Sequence, residues 1–215
     1  MATIVKGILG GFSGKVGTVV GGIWKGIDYM RSKASSIANP KTAAQIDQRL
    51  RFSIMGKFLR PLTAFLRIGF KAHSVKMSGS NAAMSYNLAH ALNGTYPDYD
   101  VDFTKVLVSQ GTLPGALNPE VTATVAGEIG YTWEDNSTDT DASVTDKALL
   151  VVYNPAKNKV VIVVDGNTRS SGSQSITLPA NFTGDEVQCY ISFSTVKQTV
   201  ISNSEFVGGI IVLAS

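Results

Sequence analysis

The sequence predicts an α+β fold in which a Gly-rich N-terminal hairpin or arm and short helices precede an all-β, immunoglobulin-like sandwich. Three observations lead to this prediction. Eight glycines occur among the first 26 residues, apolar residues recur at helical spacing over residues 42–72, and the second half is rich in Val, Ile and Thr. With 44% hydrophobic and 16% charged residues in a chain of 215, a sizeable core can be buried.

Charge divides the chain near residue 100. Residues 1–100 contain 13 Lys and Arg against 4 Asp and Glu and carry +9, whereas residues 101–215 contain 6 against 12 and carry −6. Gly94, Pro97 and the neighbouring aspartates are typical of a linker. We therefore predict a basic N-terminal unit, residues 1–100, and an acidic β-sandwich domain, residues 101–215.

The glycine-rich opening is predicted to form a β arm over residues 1–33. Gly21-Gly22 separates two short runs of β-branched and aromatic residues, which favours a hairpin turn at these two glycines. Glycines four apart also fit packed membrane helices, but each costs a helix roughly 1 kcal/mol relative to Ala. No apolar run is long enough for a transmembrane segment. Glycines also interrupt the apolar block of a classical signal peptide, which leaves the localisation open.

Three helices are predicted at about residues 42–60, 61–72 and 81–92, because Pro61 interrupts one long apolar pattern and Asn93-Gly94 ends another. The apolar face of the first two helices includes Phe58 and Phe65. Arg51 falls within this face, where an unpaired charge is costly, so it is expected to meet a carboxylate across a contact. The remaining cations share one narrow arc of the helical wheel: Arg49, Lys57, Arg60, Arg67 and Lys71.

The second half reads as strands separated by turn residues, which is typical of a β-sandwich. The predicted strands are Phe103–Ser109, Val121–Val125, Ile129–Glu134, Ala148–Tyr153, Val160–Val164, Gln174–Leu178, Val187–Phe193 and Phe206–Leu213. Cys189 is the only cysteine, so the disulfide of antibody domains is excluded.

No catalytic, cofactor-binding or metal-binding motif emerges, and we expect a protein that is not an enzyme. Cys189 lies inside a strand pattern, which favours a small buried side chain over a nucleophile. His73 and His90 lack a second ligand at metal spacing. The acidic stretch 134–146 has oxygen-bearing side chains at alternate positions, as calcium prefers, but lacks the glycine of a calcium loop. An ordinary solvated loop is the competing interpretation.

The opening residues resemble an uncharacterised family of small Bacteroidota proteins. The resemblance rests on Gly7-Ile-Leu-Gly-Gly-Phe-Ser-Gly-Lys-Val-Gly-Thr-Val-Val-Gly, on Trp24-Lys-Gly-Ile-Asp-Tyr-Met-Arg-Ser and on Pro40-Lys-Thr-Ala-Ala-Gln-Ile-Asp-Gln-Arg-Leu-Arg-Phe. It covers about residues 5–70 and implies no established activity. The Pro-x-Thr-x-x-Gln-x-x-x-Arg element that starts at Pro40 is also similar to stretches of phage structural proteins.

Three functional hypotheses follow. The first is a self-assembling structural protein of a virion, filament or cell surface, which implies a homo-oligomer with other structural proteins as further partners. The second is a binding module whose β-sandwich loops contact carbohydrate or protein. The third is a nucleic-acid-binding protein that uses the basic helical stripe. The candidate assembly interface comprises Gly17, Gly21, Gly22, Trp24, Tyr29, Arg49, Arg51, Phe58, Arg60, Phe65 and Arg67.

Overall fold

The computed structural model describes residues 3–4, 10–24, 26–36, 39, 41–74 and 76–214. The chain divides into two compact units, Met1–Ala43 and Ala44–Ser215. The described helices are α1 (Ala43–Leu59), α2 (Thr63–Gly69) and α3 (Gly79–His90). The described strands are β1 (Thr3–Ile4), β2 (Phe12–Val16), β3 (Val19–Trp24), β4 (Ile27–Ser32), β5 (Leu92–Thr95), β6 (Asp98–Val101), β7 (Leu117–Thr122), β8 (Glu128–Glu134), β9 (Lys147–Asn154), β10 (Lys159–Val163), β11 (Ser173–Thr177), β12 (Glu186–Ser194) and β13 (Glu205–Ile211). The α+β fold class is confirmed, with mostly antiparallel sheets.

The first unit contains an antiparallel sheet of order β1-β2-β3-β4. The predicted turn at Gly21-Gly22 is wrong, because both glycines lie within β3. The chain turns instead at Gly17, with φ +54°, and at Gly26, with φ +83°, a left-handed conformation that favours glycine. Residues 5–9 and Pro40, which belong to the predicted arm and to the resemblance, lie outside the described residues.

Neighbouring strands explain why β3 contains two glycines. A Cβ on Gly22 would lie 3.0 Å from the hydroxyl oxygen of Tyr29, so this glycine lets the Tyr29 ring lie across the sheet. A Cβ on Gly21 would overlap the backbone carbonyl oxygen of Phe12 and would lie 2.6 Å from a carbon of its ring. A side chain at Gly22 would displace the Tyr29 ring, and one at Gly21 would push the backbone of β2 away.

The second unit has three layers. Its central sheet has the order β10-β9-β12-β13, and a three-stranded sheet of order β11-β8-β7 covers one face. The helices cover the other face, where Phe58 packs edge-on against Tyr153 with ring centroids 4.8 Å apart. Alternate residues of β9 point to opposite faces of the central sheet and contribute to two separate hydrophobic cores. Val151 packs in the core beneath the helices, and Val152 packs in the core beneath the second sheet.

The helices begin and end close to the predicted positions, and the chain breaks between α1 and α2 around Pro61 as expected. α3 begins two residues earlier than predicted, because the Ser78 hydroxyl accepts a hydrogen bond from the backbone N–H of Asn81 at 3.2 Å. No helix among the described residues is long and apolar enough to cross a membrane.

The strand predicted at Phe103–Ser109 is wrong. Backbone groups of this segment are satisfied by side chains: the Asn87 amide nitrogen donates to the carbonyl of Leu107 at 2.8 Å, and the Asn87 amide oxygen accepts from the N–H of Leu107 at 2.9 Å. The Ser204 hydroxyl accepts from the next backbone N–H. These bonds occupy groups that a sheet ladder would otherwise use.

The two units are not divided where the charge changes. The compact units meet at Ala43 and Ala44, and the predicted linker around residues 95–102 contains the hairpin of β5 and β6. The physical reason is apolar packing, because residues on both sides of residue 100, such as Phe58 and Tyr153, share one core.

Cys189 is fully buried in the core between the two sheets, and burial raises the pKa of its thiol from 9.0 to about 11. We expect a thiol reagent at about pH 8 to label the unfolded but not the folded protein. Because the folded state holds the proton more tightly, the contribution of this thiol to stability is complete below pH 9.0 and is lost as the pH rises towards about 11. Urea unfolding of wild type and Cys189→Ala across this range measures it. Rapid labelling of the folded protein would contradict the prediction.

Candidate assembly surfaces

The sheet of the first unit exposes apolar side chains. Among its described residues only Gly21 is buried. Met30 is 71% exposed, and Ile23 and Ile27 are each 64% exposed. The exposed apolar residues of β2, β3 and β4 are Val16, Val19, Ile23, Trp24, Ile27, Tyr29 and Met30.

These side chains occupy both faces of the sheet. Directly opposite residues project to the same face, so the pairing of Trp24 with Ile27 and of Gly22 with Tyr29 places the three large side chains together. They line a shallow depression of about 280 Å³. Ile23 and Met30 belong to the other face. An antiparallel sheet usually has one apolar and one polar face, whereas both faces of this sheet carry exposed apolar side chains among the described residues.

Phe58 and Phe65, which were predicted to belong to the assembly interface, lie in the core of a single chain. Phe58 is 2% and Phe65 1% exposed, because both are buried against apolar residues of the same chain. The apolar helical face predicted to exceed what one copy can bury is covered largely by the central sheet. Gly17, Gly21 and Gly22 shape the small sheet, as described above, while Trp24 and Tyr29 lie together on its surface.

Arg51 meets a carboxylate of its own helix. Its guanidinium lies 3.0 Å from Asp47 and donates at 2.7 Å to the hydroxyl of Tyr99. That hydroxyl donates to Asp47 at 2.5 Å, which raises the pKa of Tyr99 because the carboxylate stabilises the protonated phenol. The cluster ties the hairpin of β5 and β6 to α1, so the predicted pairing of Arg51 is intramolecular.

Phe52 is the apolar centre of the outer surface of α1 and is 53% exposed. Two grooves flank it. One, of about 460 Å³, is lined by Gln45, Gln48, Arg49, Phe52 and Ser53. The other, of about 380 Å³, is lined by Phe52, Ser53, Gly56, Lys57, Arg60 and Asn158.

The predicted basic stripe is divided by the fold. Arg49, Lys57 and Arg60 lie around Phe52, but the Lys71 ammonium donates to the backbone carbonyl of Gln198 at 3.3 Å, on the loop between β12 and β13. Arg67 is in the last turn of α2. Of the predicted stripe, Arg49, Lys57 and Arg60 therefore share one surface with the exposed ring of Phe52.

Arg169 is the principal feature that the sequence analysis missed. It is fully buried, its Nε lies 3.2 Å from the Asp146 carboxylate, and its guanidinium lies 4.0 Å from the centre of the Phe193 ring. Its other hydrogen bonds go to the backbone oxygens of Pro114 and Gly115, both at 2.9 Å, and to the amide oxygen of Asn136 at 2.6 Å. Burial lowers its pKa, which Asp146 opposes. Oxygen atoms of Pro114, Gly115, Asn136 and Asp146 therefore surround the guanidinium. Two of these residues belong to the acidic stretch 134–146, so an internal cation, the arginine side chain, holds this loop.

A further groove of the second unit, about 560 Å³, lies beside the end of α3. Tyr86 and His90 stack there with ring centroids 4.4 Å apart, and Lys105 and Glu205 line the same groove. Burial raises the pKa of Glu205. His90 is the last residue of α3. No cluster of three His, Cys, Asp or Glu suited to a metal ion occurs among the described residues.

Comparison with known proteins gives one family. Residues 11–208 match the model of a family of unknown function, DUF6266. The chain belongs to this family. The match covers β2–β4 of the small sheet, the three helices and nearly all of the two larger sheets, so the DUF6266 region extends over parts of both compact units. No curated protein matches the chain.

Proposed function

We propose that this DUF6266 protein is a non-enzymatic structural protein that assembles with copies of itself through the small sheet of its first unit. The observation that carries the proposal is the exposure of large apolar side chains on both faces of that sheet. Contiguous apolar patches on soluble proteins normally mark contact surfaces. Trp24 and Tyr29 are of the residue types that dominate the energetics of interfaces.

The size of the first unit also supports an assembly role. It has 43 residues, and an isolated unit of that size rarely buries enough apolar surface to remain folded. A small antiparallel sheet needs a covered face for its stability. Contact with a second surface supplies that cover, so we infer that the sheet is completed by assembly.

Charge favours a second copy of the chain as the partner. Residues 1–43 contain six Lys and Arg and one Asp, a net charge of +5, while residues 44–215 carry −2. The second half, residues 101–215, carries −6. Each copy therefore offers an acidic surface to the basic first unit of another, an attraction that salt weakens.

We further propose that β7–β13 form an immunoglobulin-like sandwich that serves as the body of the assembly. The support is connectivity: seven consecutive strands divide into β11-β8-β7 and β10-β9-β12-β13 around one apolar core. This order places the first, second and fifth strands in one sheet, as in constant-type immunoglobulin domains, with the fourth strand moved beside the third. The similarity of the element at Pro40 to phage structural proteins favours a virion or extracellular assembly.

A substitution in the small sheet tests the proposed function. Ile27→Asp places a charge among Trp24, Ile27 and Tyr29, and we expect the weight-average mass in sedimentation to fall at least twofold because the apolar contact is lost. Val196→Asp is the matched control, since Val196 is 62% exposed in the second unit and should leave the mass unchanged. A monodisperse wild-type monomer at high concentration would refute the proposal.

A binding module is the second candidate, favoured by the loops that Arg169 holds. The guanidinium joins the segments around Pro114, Asn136 and Asp146, so the loop end of the β-sheets is preorganised. Preorganised loops bind with a smaller entropic cost. Screening the purified protein against a glycan array tests this candidate. Specific binding abolished by Asn136→Ala, without a change in mass, would favour it over self-assembly.

A further inference from the structure

We propose that the second unit carries a head-to-tail contact, in which the surface around Phe52 on one copy binds the acidic loop of the next. The basic surface is defined by Phe52, Lys57 and Arg60, and the acidic loop by residues 134–141 with Glu134, Asp135, Asp139 and Asp141. The inference rests on the proposed function in one respect: the partner is another copy of the chain.

The two surfaces lie at opposite ends of β9. The acidic loop leads into β9 at Lys147, whereas Asn158, which lines the groove beside Lys57 and Arg60, lies in the turn that follows Asn154. Eight residues of strand span about 25 Å. A copy therefore presents the two surfaces to different neighbours.

The charges of both surfaces are exposed. Lys57 and Arg60 are exposed, and the ion pairs found among the described residues include neither. Asp135, Asp139 and Asp141 are likewise exposed and absent from those pairs. Between Glu134 and Asp146 the sequence has no Lys or Arg, and buried Arg169, which also attracts Asp135 and Asp139, is paired directly with Asp146. The two surfaces are thus complementary in charge.

The acidic loop is held in place before it meets a partner. Asn136 donates to the carbonyl of Gly115 at 3.2 Å and to Asp139 at 2.9 Å, while its amide oxygen accepts from buried Arg169. A loop fixed by its own chain loses little further entropy on association. On the other side, an exposed phenyl ring with cations and polar groups around it matches the apolar centre and polar rim of a protein interface.

The proposed contact joins two different surfaces and is therefore not symmetric. Two basic surfaces repel each other, so the contact is between different surfaces, and such heterologous contacts produce rings or open filaments. This arrangement distinguishes the second contact from the apolar one through the small sheet. Nucleic acid also binds basic surfaces, and binding of an oligonucleotide distinguishes it from a second copy as the occupant.

Charge reversal in the full-length chain tests the inference. Lys57→Glu with Arg60→Glu is expected to lower the weight-average mass at least twofold at low salt, and Asp139→Lys with Asp141→Lys is expected to do the same. All four substitutions in one chain restore opposite charges across the contact, so the mass should recover. Lys76→Glu with Lys197→Glu changes the net charge as much as the first pair at other exposed positions and should have no effect. Circular dichroism verifies that each variant is folded.

Several outcomes would overturn the inference. It fails if both charge-reversed proteins keep the wild-type mass, or if the fourfold variant does not recover. It also fails if Lys57→Glu with Arg60→Glu abolishes binding of a fluorescent single-stranded oligonucleotide and leaves the mass unchanged, since nucleic acid is then the occupant. If Ile27→Asp reduces the mass and charge reversal does not, the proposed function stands and only the head-to-tail contact is refuted.

Discussion

Arg169→Met is expected to lower the free energy of unfolding by about 3–5 kcal/mol, the cost of removing one partner from a buried ion pair. Asp146 is 3% exposed on its side chain and would keep a charge with no counterion in the interior. The carbonyl of Pro114 would also lose its donor, and the carbonyl of Gly115 would keep only the Asn136 amide. Urea unfolding followed by Trp133 fluorescence in a Trp24→Phe background measures the change.

Lys147→Met supplies the control for this prediction. Its ammonium lies 3.7 Å from Asp165, whose carboxylate is 76% exposed, and solvent screens such a pair to less than about 1 kcal/mol. A second comparison is Arg169→Met with Asp146→Leu, which removes both charges and should recover part of the loss. Equal losses for Arg169→Met and Lys147→Met would show that burial does not strengthen the Arg169 pair.

Regular elements were predictable because their signals are local. Helical periodicity and Pro61 placed the helices within a few residues, and seven of the eight predicted strands overlap β7–β13. The strand predicted at Val121–Val125 shares only two residues with β7, which begins at Leu117 and ends at Thr122. The eighth, at Phe103–Ser109, has a strand-like composition, but Asn87 and Ser204 satisfy its backbone. Side chains distant in sequence supply these partners, and no local pattern encodes them.

Candidate site residues were predictable only where exposure is decided locally. Trp24 and Tyr29 sit in a short hairpin of a unit too small to bury them, and they remain at its surface. Phe58 and Phe52 are six residues apart in one helix, yet one is buried and the other exposed, because only the tertiary fold brings Tyr153 against Phe58. Hydrophobicity alone does not distinguish a core from an interface.

Arg169 left a weak signal that the sequence analysis did not use. It is the only arginine beyond residue 67, in an otherwise acidic half. A lone arginine among strands is often a buried partner for a carboxylate, since its planar group can satisfy several acceptors at once. Asp146 and the two carbonyl acceptors are 23 to 55 residues away in the chain, so their identity depends on how the strands of the two larger sheets are connected.

Phe58→Ala is expected to lower the free energy of unfolding by about 3–5 kcal/mol, because a large aromatic side chain leaves a cavity between α1 and the central sheet. Phe58 contacts Tyr153 and also lies with its ring centroid 6.0 Å from that of Phe103. Since these residues belong to one core, the helices and the β-sheets of the second unit should unfold together. If residues 1–100 and 101–215 instead folded independently, the substitution would destabilise only the helices.

Two probes in the same samples separate these alternatives. Far-ultraviolet circular dichroism follows the helices, and fluorescence of Trp133, in a Trp24→Phe background, follows the interior between the two sheets of the second unit. A shared core requires both unfolding curves of Phe58→Ala to shift by the same amount. Phe52→Ala is the control, because it removes the same ring from the exposed side of α1 and should change stability by no more than about 0.5 kcal/mol. A Trp133 curve that stays at its wild-type midpoint in Phe58→Ala would mean that the β half is stable without its helical layer, and the boundary of independent folding would then lie at residue 100 after all.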